Sequence, residues 1–104
     1  MSDVKHFLGM IKPIREDFMT YTTEENNKIM GDHFQYLKDL LEKGKLVLAG
    51  PVLNEKEPFG LLIFECENKE EAKILMENDP SVKAGIQTIL KLEPLRISLY
   101  KKTS

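Results

Sequence analysis

TTEENNKIMGDHFQYLKDLLEKG, residues Thr22 to Gly44, is the longest helical signal in this chain. Met30, His33, Phe34, Leu37, Leu40 and Leu41 recur at three- and four-residue spacing, which puts them on one face of a helix. Glu25, Lys28, Gln35, Lys38, Asp39 and Glu42 populate the opposite, solvated face. Thr22 and Glu25 fit a capping box, in which each side chain satisfies a free backbone N–H of the other. Gly44 follows the last apolar turn, where a left-handed residue ends a helix. Gly31 costs about 1 kcal/mol against alanine inside a helix, and a close backbone approach would account for it. A long helix with one apolar face needs an apolar surface to lie on, and the flanking segments supply strands.

Val4–Ile11 reads as the first strand, closed by Lys12–Pro13 because proline has no N–H for a ladder. His6 alternates there with Val4, Leu8 and Met10 and reads as a strand histidine near a sheet edge. Pro13–Tyr21, PIREDFMTY, is a connection pinned by Phe18. Its Arg15 is either solvated or placed to meet an anionic ligand. Lys45–Ala49 is a second strand, broken by Gly50–Pro51. Asn54–Pro58 is a polar turn, and Phe59–Cys66 a third strand that completes a hairpin. Asn68–Asn78 is a second helix, capped by Asn68 with Glu71, that buries Ala72, Leu75 and Met76 with Ile74 at the margin. Asp79–Pro80 opens a one-turn helix running to Ala84 and closed by Gly85. Ile86–Tyr100 is the last strand, and Pro94 marks a bulge or a sheet edge in it. The order is β-α-β twice. It implies an α+β, ferredoxin-like βαββαβ fold, with two helices on one face of a four-stranded antiparallel sheet.

At 104 residues the chain fits one domain, residues 1–104. Charged residues make up 31% and apolar residues 41%, the balance of a folded globular protein rather than a disordered one. The net charge is −2 and the basic residues are scattered, which argues against a nucleic-acid partner. No apolar run approaches the roughly 20 residues that cross a bilayer, so no membrane partner is expected. MSDVKHFLGM lacks a signal-peptide pattern. The single cysteine, Cys66, permits no internal disulfide, and the chain reads as cytoplasmic.

Leu46–Ala49 and Leu61–Phe64 are unbroken apolar runs. Successive strand residues point to opposite faces, so both faces of these strands are apolar, whereas two helices cover only one. An exposed apolar face of that size implies a second copy packed sheet to sheet, a homodimer. The alternative is a monomer whose 13–21 connection folds across the open face.

The sequence contains no P-loop, G-x-G-x-x-G, H-E-x-x-H, C-x-x-C or G-x-S-x-G motif, and its histidines and cysteine are too dispersed for a zinc site. No metal or organic cofactor is expected. His33 remains, because an imidazole on a sheet-facing stripe needs a hydrogen-bond partner or costs about 1–3 kcal/mol. Asp79, before Pro80, is a candidate partner. Two readings stay open from the residues alone. Either His33 is a satisfied core residue and Asp79 a helix cap, or the carboxylate orients the imidazole as a general acid or base.

Four stretches together resemble the YciI-like (YCII-related) family: DHFQYLKDLLEKGKL around His33, LVLAGP at Leu46–Pro51, FGLLIFECENKEEA, and NDPSVKAGI at Asn78–Ile86. The resemblance implies a ferredoxin-like protomer in a dimeric α/β barrel, with a cleft that pairs a histidine with an aspartate. By motif match these are His33 and Asp79, with Gly50 and Pro51 near the cleft. It also implies proton-transfer chemistry of lyase or dehalogenase type on a small molecule, since a relative acts on chlorinated hydroxyquinones. Ser81 stands where the family usually carries an aromatic residue, which points to a more open or polar pocket with Ser81 and Arg15 available to a ligand. The contrasting expectation is a non-catalytic ligand-binding or stress-response dimer, whose cleft binds without reacting.

Overall fold

The computed structural model describes residues 5–14 and 23–101. Four strands, β1 (His6–Pro13), β2 (Leu46–Val52), β3 (Phe59–Glu65) and β4 (Gln87–Leu95), form one sheet in the order β2-β3-β1-β4. Every neighbouring pair is antiparallel. Helices α1 (Glu24–Glu42), α2 (Lys69–Glu77) and the one-turn α3 (Pro80–Lys83) complete the α+β, ferredoxin-like order.

Strand β1 alternates between buried and half-buried residues. Phe7 and Ile11 point towards the helices and join Leu46, Leu62 and Phe64 from the sheet with Leu40, Ala72 and Met76 from the helices. The alternate residues face away from the helices. There Leu8 pairs with Ile63 and Met10 with Leu61, while Leu48 also lies opposite Ile63. The two-sided apolar character read from the sequence is thus a property of the folded sheet.

Several boundaries differ from the expectations, each for a local reason. Thr23 rather than Thr22 caps α1, its side chain accepting the Asn26 N–H at 3.0 Å. Thr22 lies outside the described residues. Phe34 and Leu41 were expected on the buried stripe, but they are 64% and 51% exposed. The inward stripe is Ile29, Met30, His33, Tyr36, Leu37 and Leu40, half-buried or buried. At 100° per residue, Phe34 and Leu41 fall just past its edge, and Lys38 Nζ sits 5.8 Å from the Phe34 ring centroid. Outside the helix's own neighbouring backbone, no described atom lies within 4 Å of a Cβ built on Gly31, so no other described segment approaches it. Gly44 ends α1 with a φ of +77°, as its position implied.

Strand β1 runs on to Pro13, which pairs with Gln87. Because β1 is a central strand, His6 is not at a sheet edge, and its Nε2 lies 3.0 Å from Glu65 Oε1. Strand β2 continues through Gly50 and Pro51, which pair with Leu61 and Gly60. An edge strand tolerates proline because one side of it has no ladder to break. Strand β4 stops at Leu95 rather than Tyr100. Its register shift lies opposite Met10/Ile11, between Lys91 and Ile89, so Leu90 and not Pro94 is the extra residue. Pro94, on the edge strand β4, pairs with Phe7 of β1, and a sheet edge is one of the two placements its presence implied. Cys66 lies one residue beyond β3 and is buried, its Sγ 3.5 Å from the Asn68 carbonyl.

Candidate functional site

The corner between α2 and α3 is built by two consecutive caps. Asn78 closes α2, and Asp79 opens α3 in an extended conformation with Pro80 at the first helical position. Proline restricts the residue before it to extended backbone, which is also what an N-cap requires. Gly85 closes α3 at a φ of +76° and sends the chain into β4.

The carboxylate of Asp79 caps α3 through one oxygen and meets α1 through the other. Oδ1 accepts the Ser81 N–H at 2.9 Å and lies 2.8 Å from Ser81 Oγ. Oδ2 lies 2.6 Å from His33 Nδ1, across the packed α1–α3 contact. The Asp79 side chain is 4% exposed and that of His33 14%. A carboxylate this buried costs several kcal/mol to desolvate unless donors surround it, and here two oxygens receive donors from three groups. The contact assigns a proton to Nδ1, because an ionised carboxylate only accepts. In the neutral ring this leaves Nε2 as an unprotonated base.

Tyr36, one turn further along α1, donates its hydroxyl to the Leu75 carbonyl at 2.8 Å and so ties α1 to α2. Burial raises its phenol above the ordinary value, and the negative charge of Asp79 adds to the effect. The phenol is therefore a fixed neutral donor at physiological pH. Gln87, at the start of β4, is a buried polar residue whose carboxamide lies 2.8 Å from Ser81 Oγ.

The expected site residues are distributed unevenly. His33, Asp79 and Ser81 come together. Ser81 does so as a fully buried partner of Asp79 rather than as a group facing the pocket. Gly50 and Pro51 lie exposed on β2, and no hydrogen bond among the described residues joins them to the pair. Arg15 lies outside the described residues. Tyr36 and Gln87 were not anticipated. The signal for Gln87 was a lone amide among apolar residues, GIQTILKL, which promises a buried polar partner. Among the described residues no group of three or more His, Cys, Asp or Glu side chains gathers as a metal site. A half-open cavity of about 290 Å³ lies elsewhere, lined by Lys5, Lys43, Lys45, Glu65, Cys66 and Glu67 with Gly44. Burial there raises the Cys66 thiol above its ordinary value, and the Glu71 charge adds to this, so the thiol stays protonated at neutral pH.

The family model described as a YCII-related domain matches residues 7–96. Among solved structures, one similar chain is the 5-chloro-2-hydroxyhydroquinone dehydrochlorinase (TftG) from Burkholderia phenoliruptrix AC1100, in complex with 2,5-dihydroxybenzoquinone. It is 25% identical, with a TM-score of 0.66 over 88% of this chain and 93% of that one. A second, protein YJCS from structural genomics, is 16% identical with a TM-score of 0.51, over 89% of this chain and 97% of its own, and shares the fold alone. No curated protein matches. Among the described residues no helix is long and apolar enough to cross a membrane.

Proposed function

This chain belongs to the YCII-related domain family, and on that premise we propose that it is a small-molecule enzyme in which His33 transfers a proton and Asp79 orients it. The observation that carries the reading is the 2.6 Å contact between His33 Nδ1 and Asp79 Oδ2, which leaves Nε2 as the working nitrogen. The 25% identity to a dehydrochlorinase over 88% of this chain supports the same class of chemistry. Nε2 takes a proton from a hydroxyl or an acidic C–H of a small ring or carbonyl compound. The electron pair released moves into the substrate framework, and a leaving group departs with its bonding pair. The imidazolium formed lies against the Asp79 carboxylate, which offsets its charge, and it then returns the proton to solvent. Gly50, Pro51 and Arg15 contact the ligand on this reading, and the chain acts as one domain without a cofactor.

A second copy covers the open sheet face, where Leu8, Met10, Leu48 and Leu61 stand half-buried or exposed. A face of this kind is rarely left to solvent. Sedimentation at micromolar concentration is expected to give the dimer mass, and a monomer alone would remove this part of the proposal.

The test uses 5-chloro-2-hydroxyhydroquinone as substrate probe, with chloride release as readout, and 2,5-dihydroxybenzoquinone as binding probe. His33→Ala is expected to stay folded and lose at least about 10²-fold in chloride release, the low end for a positioned acid or base. Equal turnover by the variant refutes the catalytic role. Binding of the quinone by wild type without any chloride release would reassign the chain as a ligand-binding protein.

A further inference from the structure

Ser81 and Gln87 lie behind Asp79, away from the proposed reaction. Ser81 is 0% exposed, Asp79 3% and Gln87 8%, so their hydrogen bonds must be satisfied within the protein. No buried side-chain nitrogen or oxygen among the described residues is left without a partner. Ser81 Oγ lies 2.8 Å from Asp79 Oδ1, 2.8 Å from the carboxamide oxygen of Gln87, Oε1, and 3.4 Å from His33 Nδ1.

A hydroxyl carries one proton and can donate it once. Were it given to Gln87, Ser81 Oγ and the Asp79 carboxylate would face each other as two acceptors at 2.8 Å. Giving it to Asp79 avoids that clash, but Gln87 must then donate to Ser81. Its oxygen and nitrogen have nearly the same shape, so turning the amide costs no space. One assignment satisfies all three side-chain contacts. Gln87 Nε2–H donates to Ser81 Oγ, Ser81 O–H donates to Asp79 Oδ1, and His33 Nδ1–H donates to Asp79 Oδ2.

We propose that Gln87 and Ser81 are positioning residues that, through this one-way chain of donors, lock the rotation of the Asp79 carboxylate and thereby hold the proton of His33 on Nδ1. Neither residue touches the substrate. With Oδ1 occupied by both Ser81 donors, only Oδ2 is available to the ring, so the carboxylate cannot swivel away. Donors in series polarise one another, and the bond from Gln87 makes the Ser81 hydroxyl a better donor to Asp79. In this chain a serine stands directly after Asp79-Pro80, which places its hydroxyl where the carboxylate needs it.

This inference rests on the proposed role of His33, but its test does not use turnover. Uniformly ¹⁵N-labelled protein is examined by NMR, reading the ring tautomer of His33 and the solvent-exchange rate of its Nδ1–H. Wild type is expected to show a protonated Nδ1, with exchange slowed by the carboxylate. Ser81→Ala and Gln87→Met are each expected to speed that exchange roughly five- to thirtyfold, the ratio that loss of one such bond gives. Ser81→Thr, which keeps the hydroxyl, is expected to retain slow exchange. Unchanged exchange in folded Gln87→Met overturns the inference and leaves the catalytic reading of His33 standing. A wild-type ring protonated on Nε2 instead overturns both. Where Gln87→Met fails to fold, the wild-type protein still decides. Slowly exchanging Gln87 amide protons with a nuclear Overhauser effect to Ser81 support the inference. Amide protons that exchange freely and show no such effect overturn it.

Discussion

Replacing Asp79 by asparagine changes one atom and should move a proton by the width of an imidazole ring. Asparagine caps helices about as well as aspartate, so α3 can keep its Ser81 N–H bond, 2.9 Å long in the wild type. The introduced side chain has two orientations. In the first, its oxygen keeps both Ser81 donors and its NH₂ faces His33 Nδ1, replacing an acceptor by a donor. The ring must then carry its proton on Nε2, so that Nδ1 can accept. In the second, the oxygen faces His33 and the NH₂ faces the Ser81 N–H. That strands a buried backbone donor at a cost of about 1–3 kcal/mol and forfeits a cap of about 1 kcal/mol. The first orientation loses only the charge assistance of the 2.6 Å bond, the difference between about 1.5–3 kcal/mol for a charged hydrogen bond and about 1 for a neutral one. The tautomer switch is therefore the cheaper response. Asp79→Asn is expected to lose about 0.5–2 kcal/mol of stability, a Tm drop of roughly 2–16 °C at this chain length. Long-range ¹H–¹⁵N spectra should show the His33 proton transferred from Nδ1 to Nε2. If His33 is the base, turnover should fall on the order of 10⁴-fold, the penalty for holding a catalytic imidazole in the wrong tautomer. Removing the Asp79 charge should also let the Tyr36 phenol titrate at a lower pH than in wild type, although burial keeps it raised. A His33 ring still protonated on Nδ1 in a folded variant would refute this reasoning, because the carboxylate would then not be setting the tautomer.

Two further predictions concern stability. Gly31 is exposed within α1 with no described atom beyond the helix's own neighbouring backbone within 4 Å of an added Cβ, so Gly31→Ala should stabilise the protein by about 1 kcal/mol and raise Tm by roughly 4–8 °C; a lower Tm would reveal a contact on that surface. Glu71 Oε2 lies 2.8 Å from Lys45 Nζ, and its Oε1 accepts the Glu67 N–H. The Lys45 hydrogen bond first, and then the Glu67 N–H, hold the Glu71 carboxyl below its ordinary 4.5. A depressed carboxyl contributes stability that is present above the unfolded value and lost as pH falls through the folded one. Glu71→Gln should therefore cost no more than roughly a few degrees of Tm at pH 7, as befits a solvent-accessible pair, and the gap should close below pH 4.5. A gap that persists in acid would mean the effect is not ionic.

The α+β order could be read from local features alone. The helices announce themselves by period and caps, as with Asn68 accepting the Glu71 N–H at 2.8 Å. The strands announce themselves by apolar runs, and the turns by Gly44 and Gly85. Each of these signals spans only a few residues, so the chain order carries it. Misplacements arose where a neighbour decided the outcome. Pro51 stays within a strand because β2 is at the edge, and Phe34 turns outward because the true stripe is centred on Tyr36 and Leu37. The proximity of His33 and Asp79, 46 residues apart, depends on how α1 packs against the α2–α3 corner, and no local pattern encodes that. The motif resemblance named both residues, but the 2.6 Å contact, the burial of Ser81 and the placement of Gln87 behind it exist only once the elements are packed. Propensity and periodicity act within a turn or two of chain, whereas the direction of a hydrogen bond between helices depends on groups far apart in sequence competing for the same few protons.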